Sequence, residues 1–419
     1  MKKFQLVSVV LMIVVLVVSA CGTAATPTSV AGTSAPAATS APAATAASTS
    51  APAAGGDKTP IKVGLFLPMT GSLAFLGEGY KLGIDLAIKD LGGAIEGHPI
   101  ETYVADNKGT PTDSVNAVRQ LIDVNNVQVI IGGGASSATM AGVPIIAEGK
   151  TPTVDGSSTN PTIYNQIGVG GNKYLFRIAP DDLIMGQGYG EYIAKDVKSI
   201  SFVGDDNQFG RGAGQVYVPL FPKVGVTVAS EDYFDPATSD YRPALTKIKA
   251  AGAQGILIVM TDQSCATFLR QFREVGLNMK VYSRGSCTTG LFNQLTKDDT
   301  KIGEGINAFS FFTEGEDPAL DKHFVDTYQK PITSHREAGY YAMYYTIAPA
   351  IKAVLQAGKE LTRDNIRDAI AALDVKTPAG PIKFDDHNQA YTFGTLNTNK
   401  DGKAVLLGTV ELKPVDHGT

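Results

Sequence analysis

A cluster of small hydroxyl side chains follows a strand-like segment in the middle of the chain. The apolar run Val127–Ile131 is dense in β-branched residues, which is typical of a buried parallel strand, and three glycines end it. Ser136, Ser137 and Thr139 then stand where a helix would begin. Hydroxyl groups and the free amide groups of a helix start favour a carboxylate or a phosphate. The pattern therefore indicates an anion-binding turn.

A second hydroxyl cluster has the same relation to the next strand. The short segment Thr151–Val154 runs into the polar turn Asp155–Pro161, which contains Ser157, Ser158 and Thr159. Open α/β sheets bind ligands at the C-terminal ends of their strands, so both clusters are expected to line one half of a small-molecule clamp. The alternative is that these hydroxyl groups only cap helices, as Ser and Thr at helix starts commonly do.

Strands and helices alternate along most of the chain and would position these clusters. Ile61–Leu67 is predicted to be a strand and Glu78–Asp90 an amphipathic helix. The alternation restarts with the helix Leu183–Asp196 and the strand Ser199–Val203. We therefore predict an α/β fold with two doubly wound parallel sheets. Later, Ala338–Gln356 is predicted to be a single helix whose tyrosines pack in the core.

Other patterns argue against catalysis. Gly77–Gly83 approaches a dinucleotide fingerprint, but its spacing is off by one residue and it stands too far from its strand. Ser136 and Ser157 lack a surrounding G-x-S-x-G motif and a nearby His. Asp385–Asn388 is interpreted as a hairpin turn rather than a metal site, and the five His residues are scattered. We expect no catalytic residue, no cofactor and no metal; an exported enzyme is the minor alternative.

The N-terminus has the layout of an export signal. Met1–Lys3 is positively charged, and the apolar run Phe4–Val18 is too short for a membrane span. The sequence Val18-Ser19-Ala20-Cys21 resembles a lipoprotein signal site, in which Cys21 becomes the lipid-bearing first residue. Residues 1–20 are thus predicted to be a signal peptide, and acyl chains on Cys21 would anchor the chain to a membrane surface. The alternative is an ordinary signal with a chance Cys.

A low-complexity segment follows the signal. Residues 21–57 consist mainly of Ala, Thr, Ser and Pro, so they are predicted to be a disordered linker. The chain has 36 Lys+Arg against 41 Asp+Glu, a formal net charge of −5, and no basic run. That balance does not favour nucleic acid as a partner.

Two cysteines remain once Cys21 is lipidated. Cys265 and Cys287 each follow a predicted strand by a few residues, so both could lie at neighbouring strand ends. Paired cysteines are usual outside the cytoplasm, and we expect a disulfide between them. Two separate buried thiols are the alternative.

The order of several motifs resembles a known family, the type I solute-binding proteins of ABC importers in the branched-chain amino-acid (Leu/Ile/Val) group. The likeness covers nearly all of Ile61 to Leu407. The motifs that carry it are PMTGSLAFLG, IIGGGASSAT, SSTNP, YLFRIAPDD, DDNQFGRG, SDYRPALTKIKAAGAQGIL, AGYYAMYY and GPIKFDD.

The resemblance implies two α/β lobes that close on a ligand like a Venus flytrap. The lobes would be joined by three crossovers, near Arg177–Pro180, Ala308–Phe311 and Phe384–Tyr391. The N-terminal lobe would comprise residues 58–179 plus 309–386, and the C-terminal lobe residues 180–308 plus 387–419.

The resemblance also implies where a ligand would bind. Ser136, Ser157 and Thr159 occupy the positions that hold an amino-acid carboxylate in the family, and Ser137 adjoins them. Phe209, before Gly210, matches an aromatic position of the second lobe. Phe75, in the loop PMTGSLAFLG, is also predicted to be a ligand-binding residue.

One position departs from the family pattern. An acidic residue usually follows the strand that ends near Ser283 and holds the ligand's α-ammonium group, but this chain has Arg284 there. Asp262 or Asp205 could then hold the ammonium group, or the ligand is not an ordinary amino acid. Arg284 could grip a second carboxylate, or could instead be a surface or inter-lobe residue.

The expected function is therefore capture of a small amino acid or related carboxylate and its delivery to an ABC transporter permease. The partners would be that ligand, the permease and a membrane reached through the lipid on Cys21, with the chain itself a monomer. The alternatives are a ligand-sensing receptor with the same clamp, and a binder of an amide, a urea or a dicarboxylate.

Overall fold

The computed structural model describes residues 58–312, 315–329 and 336–418. Cys21 and the predicted signal and linker lie outside them. The strands of the described residues form two large sheets and one hairpin. The helices are α1 (Ala74–Asp90), α2 (Pro111–Arg119), α3 (Ser136–Glu148), α4 (Asp182–Ala194), α5 (Gln208–Lys223), α6 (Arg242–Ala251), α7 (Asp262–Glu274), α8 (Gly290–Leu295), α9 (Pro318–Tyr328), α10 (Arg336–Tyr340), α11 (Ala348–Gln356) and α12 (Arg363–Ala371).

The first sheet has six strands and a mostly parallel arrangement. Its strands are β1 (Ile61–Leu67), β2 (Ala94–Ile95), β3 (His98–Asp106), β4 (Val129–Gly132), β5 (Thr153–Asp155) and β6 (Leu175–Arg177). Their order is β2-β3-β1-β4-β5-β6, and only the β2–β3 pair is antiparallel. Strand β4 is buried along its whole length, as its run of β-branched residues predicts.

The second sheet has seven strands. They are β7 (Ser199–Asp205), β8 (Thr227–Phe234), β9 (Gly255–Val259), β10 (Lys280–Arg284), β11 (Asn307–Ser310), β14 (Phe393–Lys400) and β15 (Lys403–Glu411), in the order β15-β14-β11-β10-β9-β7-β8. A separate hairpin joins β12 (Asp374–Thr377) and β13 (Gly380–Lys383). Strands β14 and β15 are antiparallel, because the tight turn at Asp401–Gly402 reverses the chain between them. The predicted fold of two parallel-sheet lobes is confirmed, and the second sheet departs from it only at this edge, where β11–β14 and β14–β15 are antiparallel.

The chain passes between the two lobes at three places, which the cores identify. Ile178 packs in the core of the first lobe and Ala179 in that of the second. Phe311, near the second crossing, belongs to the second core. At the third crossing, Ala390 packs in the first core and Tyr391 against the second. Helices α9 to α12 and the β12–β13 hairpin thus return to the first lobe before β14 and β15 complete the second.

The tyrosine-rich helix is interrupted. The sequence predicted one helix over Ala338–Gln356, but a π-helical segment, Tyr341–Ile347, separates α10 from α11. Pro349 has no amide hydrogen for the usual helical bond to the preceding turn, which accounts for the wider turn before it. The aromatic residues of this segment do pack in the first core, as expected.

Candidate functional site

Asp155 builds the turn that carries the second hydroxyl cluster. Its Oδ1 accepts hydrogen bonds from the amides of Ser157 (2.9 Å) and Ser158 (3.2 Å), and its Oδ2 accepts one from Thr139 Oγ1 (2.9 Å). The hydroxyl groups of Thr139 and Ser158 are also 2.8 Å apart. One buried carboxylate therefore ties the end of β5 to the first turn of α3, so the two predicted clusters lie side by side.

Helix α3 begins without a side-chain cap. Gly132, Gly133 and Gly134 have φ values of 141°, 113° and 74°, a backbone path that leads from β4 into the helix and suits only glycine. Ala135 occupies the N-cap position and offers no side-chain acceptor. The amides of the first turn are therefore available to an anion, while buried Ser136 accepts a hydrogen bond from the Asn160 amide at 3.3 Å.

Ser157 Oγ is buried and makes no hydrogen bond of good geometry with the described residues, although the Tyr80 hydroxyl lies near enough to interact with it. A buried hydroxyl without a partner costs free energy unless a ligand or water satisfies it.

The two lobes meet next to this turn. Asn160 Nδ2 donates to the backbone oxygen of Gln208 at 2.6 Å, across the cleft. Asn207 caps α5 by accepting from the amides of Phe209 (2.9 Å) and Gly210 (3.1 Å), which places Phe209 in the first turn of that helix.

Arg284 is a buried inter-lobe residue, only 1 % exposed. Its Nη2 donates to Thr159 Oγ1 of the first lobe at 2.9 Å, and its guanidinium carbon lies 4.4 Å from the centre of the Phe209 ring. Of the alternatives left open for Arg284, the inter-lobe position agrees with the structure and the surface position does not. The structure brings Thr159, Phe209 and Arg284 together, as the sequence analysis expected for a shared site.

The carboxylate that accompanies Arg284 is Asp182, which the sequence analysis missed. Asp182 Oδ1 lies 2.6 Å from Arg284 Nε, although the N–H direction does not give a hydrogen bond, and Oδ2 lies 3.5 Å from Nη2. Burial raises the pKa of Asp182 to about 6, while the guanidinium opposes that rise. Asp182 is thus the counter-ion of Arg284 at neutral pH.

Two donors near this pair have no partner among the residues that the structure describes. Arg284 Nη1 makes no hydrogen bond with the described residues, and the buried Nε, although 2.6 Å from Asp182 Oδ1, makes none of good geometry either. The Tyr217 hydroxyl is buried and likewise unpaired, and its pKa is raised by burial and by the nearby Asp182.

The other two predicted carboxylates are held by their own lobe. Asp262 begins α7 and accepts a hydrogen bond from Thr289 Oγ1, and burial raises its pKa to about 6. Asp205 accepts from the Thr261 amide at 2.8 Å, and burial raises its pKa to about 6 as well. In the described part of the chain, neither side chain forms a hydrogen bond or an ion pair with Arg284 or Thr159.

Ser137 and Phe75 lie away from the Arg284 cluster. Ser137 lines an open groove of about 580 Å³ between the lobes, together with Met140, Gln208 and Arg211. Phe75 is half-buried in the first turn of α1, and no hydrogen bond or ring contact in the described part of the chain joins it to the other predicted residues.

A disulfide supports the loop that follows Arg284. Cys265, in the first turn of α7, is bonded to Cys287, and their Cα atoms are 5.8 Å apart. The loop is also held by Ser283 Oγ, which donates to the Ser286 oxygen at 2.7 Å.

A buried network fixes the crossover between the lobes. Arg177 donates through Nη2 to Asp181 (2.7 Å), through Nε to Gln389 (2.5 Å) and through Nη1 to the Asn160 oxygen (2.8 Å). His417 Nε2 lies 2.8 Å from the same Asp181 carboxylate. The first and third connections are therefore bonded directly to each other and to the site turn.

Comparison with known proteins identifies the family. A family model described as periplasmic binding protein matches residues 60–402. The chain belongs to the periplasmic binding protein family. A leucine-, isoleucine-, valine-, threonine- and alanine-binding protein of Pseudomonas aeruginosa is 23% identical over 339 residues, 80% of this chain and 88% of that protein. A Leu/Ile/Val-binding protein homolog of Brucella abortus is 25% identical over 376 residues, 83% of this chain and 90% of that protein.

Solved structures share the fold of this periplasmic binding protein. A leucine-binding protein from Thermotoga maritima has a TM-score of 0.74 at 22% identity, over 84% of this chain and 99% of that one. An ABC-transporter solute-binding protein of R. palustris in complex with benzoate has a TM-score of 0.76 at 22% identity, over 85% and 98%.

Two further properties concern the described residues alone. They contain no group of three or more His, Cys, Asp or Glu side chains arranged to hold a metal ion. Nor does this part of the chain include a helix long and apolar enough to cross a membrane.

Proposed function

We propose that this periplasmic binding protein captures a small amino acid or related small carboxylate between its lobes and delivers it to the permease of an ABC transporter. The chain would act outside the cytoplasm as a monomer, anchored by lipid on Cys21. The permease recognises the closed form in this scheme, so ligand binding controls delivery.

What supports the proposal is a set of polar groups from both lobes around the contact between Thr159 and Arg284. Ser157 and the uncapped start of α3 come from the first lobe. Tyr217 and Arg284 Nη1 come from the second. Because Arg284 already contacts Thr159, groups of both lobes are within reach of one small ligand.

A carboxylate suits this arrangement. It would accept hydrogen bonds from Ser157 and from the first-turn amides of α3, where the helix dipole favours negative charge. The relatives named for branched-chain amino acids and the R. palustris structure with benzoate have a carboxylate in common among their ligands. A carboxylate is therefore the part of the ligand that we assign to the first lobe.

Ligand contacts with both lobes would favour the closed form. A solute shifts an open–closed equilibrium only by its difference in affinity for the two forms. Groups on both lobes provide that difference, and the three crossovers provide the hinge.

A thermal-shift screen tests the proposal. The purified chain is heated with amino acids, aliphatic and aromatic monocarboxylates, dicarboxylates, amides and ureas. At least one carboxylate should raise Tm progressively with its concentration, because it binds the native state. If no small solute in the panel raises Tm, the proposal fails.

A further inference from the structure

Arg284 and Asp182, beside Thr159, form a buried ion pair, and this pair limits which ligands can bind. Arg284 Nη2 lies 2.9 Å from Thr159 Oγ1, so a positive charge already stands at the edge of the proposed carboxylate site. Its counter-ion, Asp182, directs one oxygen to Nε at 2.6 Å and the other to Nη2 at 3.5 Å. Both side chains are almost fully buried.

An α-ammonium group would have to share Asp182 with Arg284 in this arrangement. It is attached to the carbon next to the carboxylate, so a carboxylate held near Ser157 and Thr159 brings it close to the guanidinium. The two cations would repel each other in a site largely shielded from water. Asp182 Oδ1 has no hydrogen bond of good geometry, but it lies 2.6 Å from Arg284 Nε, so one carboxylate would serve two cations there.

The remaining carboxylates do not supply the missing acceptor. Asp181 is bonded to Arg177 and His417, and Asp155 is occupied by Thr139 and the turn amides. Asp262 is bonded to Thr289. Asp205 has one oxygen without a hydrogen-bond partner among the described residues, but its other oxygen accepts from the Thr261 amide at 2.8 Å, and no hydrogen bond or ion pair in the described structure joins it to Arg284 or Asp182.

Two donors instead offer hydrogen bonds to oxygen. Arg284 Nη1 has no acceptor among the described residues. The buried Tyr217 hydroxyl has no hydrogen-bond partner among them either, and it lies near enough to Asp182 and Arg284 to interact electrostatically with both. Phe209 presents a ring beside them. A hydroxyl or carbonyl oxygen next to the ligand's carboxylate would use these donors, and an aryl or alkyl group would pack on the ring.

We propose that the ligand is a monocarboxylate without an α-ammonium group, that is, a hydroxy, oxo or aromatic acid rather than an amino acid. The Asp182–Arg284 pair determines this specificity. The inference rests on the proposed function and narrows its ligand class.

Matched ligands of one carbon skeleton test the inference on the full chain. Leucine, 2-hydroxy-4-methylpentanoate and 4-methyl-2-oxopentanoate form one set, and phenylalanine, 3-phenyllactate and phenylpyruvate another. Benzoate is added as an acid with no α-substituent. Calorimetric titration at pH 7.5 should give a Kd at least about tenfold lower for the hydroxy, oxo or aromatic acid than for an amino acid of the same set.

The outcomes separate the two proposals. If an amino acid binds as tightly as its hydroxy and oxo counterparts, or more tightly, the inference is overturned and the transport proposal stands. If neither these ligands nor the wider thermal-shift panel bind, the transport proposal itself is overturned. If amino acids bind more tightly than their hydroxy and oxo counterparts, the amino-acid affinity of Asp205→Asn shows whether Asp205 accepts the ammonium group.

Arg284→Gln gives an independent readout. Without the guanidinium, Asp182 is free to accept an ammonium group, so the ratio of amino-acid to oxo-acid affinity should rise at least about tenfold. A folded variant with an unchanged ratio would contradict the role of the pair. If the variant does not fold, the matched ligands on the unaltered chain still decide.

Discussion

Ser157 and Ser158 are adjacent hydroxyl residues with different roles. Among the described residues, Ser157 Oγ makes no hydrogen bond of good geometry and lies near the Tyr80 hydroxyl, whereas Ser158 Oγ bonds to Thr139 and helps to hold the turn on α3. The first hydroxyl is thus available to a ligand, and the second contributes to stability.

Replacing each serine separates the two roles. Ser157→Ala should weaken carboxylate binding about tenfold or more without lowering the Tm of the free protein, because only a ligand bond is lost. Ser158→Ala should leave affinity nearly unchanged and cost about 1 kcal/mol of stability. Titration calorimetry and thermal melts check both. Normal binding by Ser157→Ala would show that the site is assigned to the wrong residues.

Local sequence was enough to predict that Ser136, Ser157 and Thr159 lie at a sheet edge, because hydroxyl residues that follow apolar strands mark such an edge. It was not enough to find Asp182, which stands 102 residues from its partner Arg284. Only folding brings Arg284, at the end of β10, to Asp182 in the first turn of α4. Tyr217 was missed for a related reason, since a buried helix tyrosine resembles any other core residue in the sequence.

At the scale of elements, α5 lies close to the first lobe at Gly212. A Cβ atom at this position would lie 2.6 Å from Asn160 Nδ2 and 3.4 Å from Asn160 Cα. The absence of a side chain there is therefore what allows the site turn and α5 to come together.

Gly212→Ala should hold the lobes apart. We expect ligand affinity to fall about tenfold or more, while the free protein keeps its Tm, because Ala favours a helix over Gly by about 1 kcal/mol. Gly188→Ala in α4 is the matched control, since nothing lies within 4 Å of its new Cβ. Titration of both variants with the same carboxylate measures the effect. Equal affinities would mean that the contact between Gly212 and Asn160 does not limit closure of the lobes.

The Cys265–Cys287 bond supports the element that presents Arg284. The two residues are 22 positions apart, and closing a loop of this length stabilises the folded state by about 3 kcal/mol. Replacing both cysteines by Ser should lower Tm and also weaken ligand binding, because the loop after β10 loses its attachment to α7. A lower Tm with unchanged affinity would limit the disulfide to a stabilising role.

The secondary structure was predicted correctly where sequence periodicity and burial agree, and incorrectly where contacts with the rest of the lobe determine the local structure. Strand β4 and helix α3 follow directly from an apolar run, glycines and a helix start. The π-helical segment Tyr341–Ile347 and the antiparallel pair β14–β15 depend on how the returning chain fits the rest of each lobe. Neither feature has a distinct sequence period.

For the whole molecule, buried carboxyl groups predict how stability depends on pH. Burial raises the pKa values of Asp182, Asp205 and Asp262 to about 6. Each group favours the folded state when protonated, and this contribution is lost as pH rises through about 6.

Stability should therefore increase as pH falls from 7.5 to about 5.5. Each kcal/mol gained would raise Tm by about 2 °C in a chain of this size. Asp205→Asn should reduce the dependence, since the amide oxygen can still accept from the Thr261 amide without titrating. Thermal melts across this range check the sign; a steady fall of Tm on acidification would contradict it.

The proposed membrane anchor depends on one residue. Cys21→Ser should release the expressed protein from the membrane fraction into the soluble extracytoplasmic fraction, because the acyl chains have no other attachment point. Fractionation followed by immunodetection measures this. Retention of the variant in the membrane would contradict lipidation at Cys21.

Titration calorimetry of the full chain with a small carboxylate tests the central claim most directly. Benzoate, 4-methyl-2-oxopentanoate and leucine are titrated into the unaltered protein and into Ser157→Ala under the same conditions. The two-lobed site predicts one ligand per chain for at least one carboxylate, with an affinity that Ser157→Ala reduces. Binding by none of the three, or binding that Ser157→Ala leaves unchanged, would contradict a carboxylate site between the lobes.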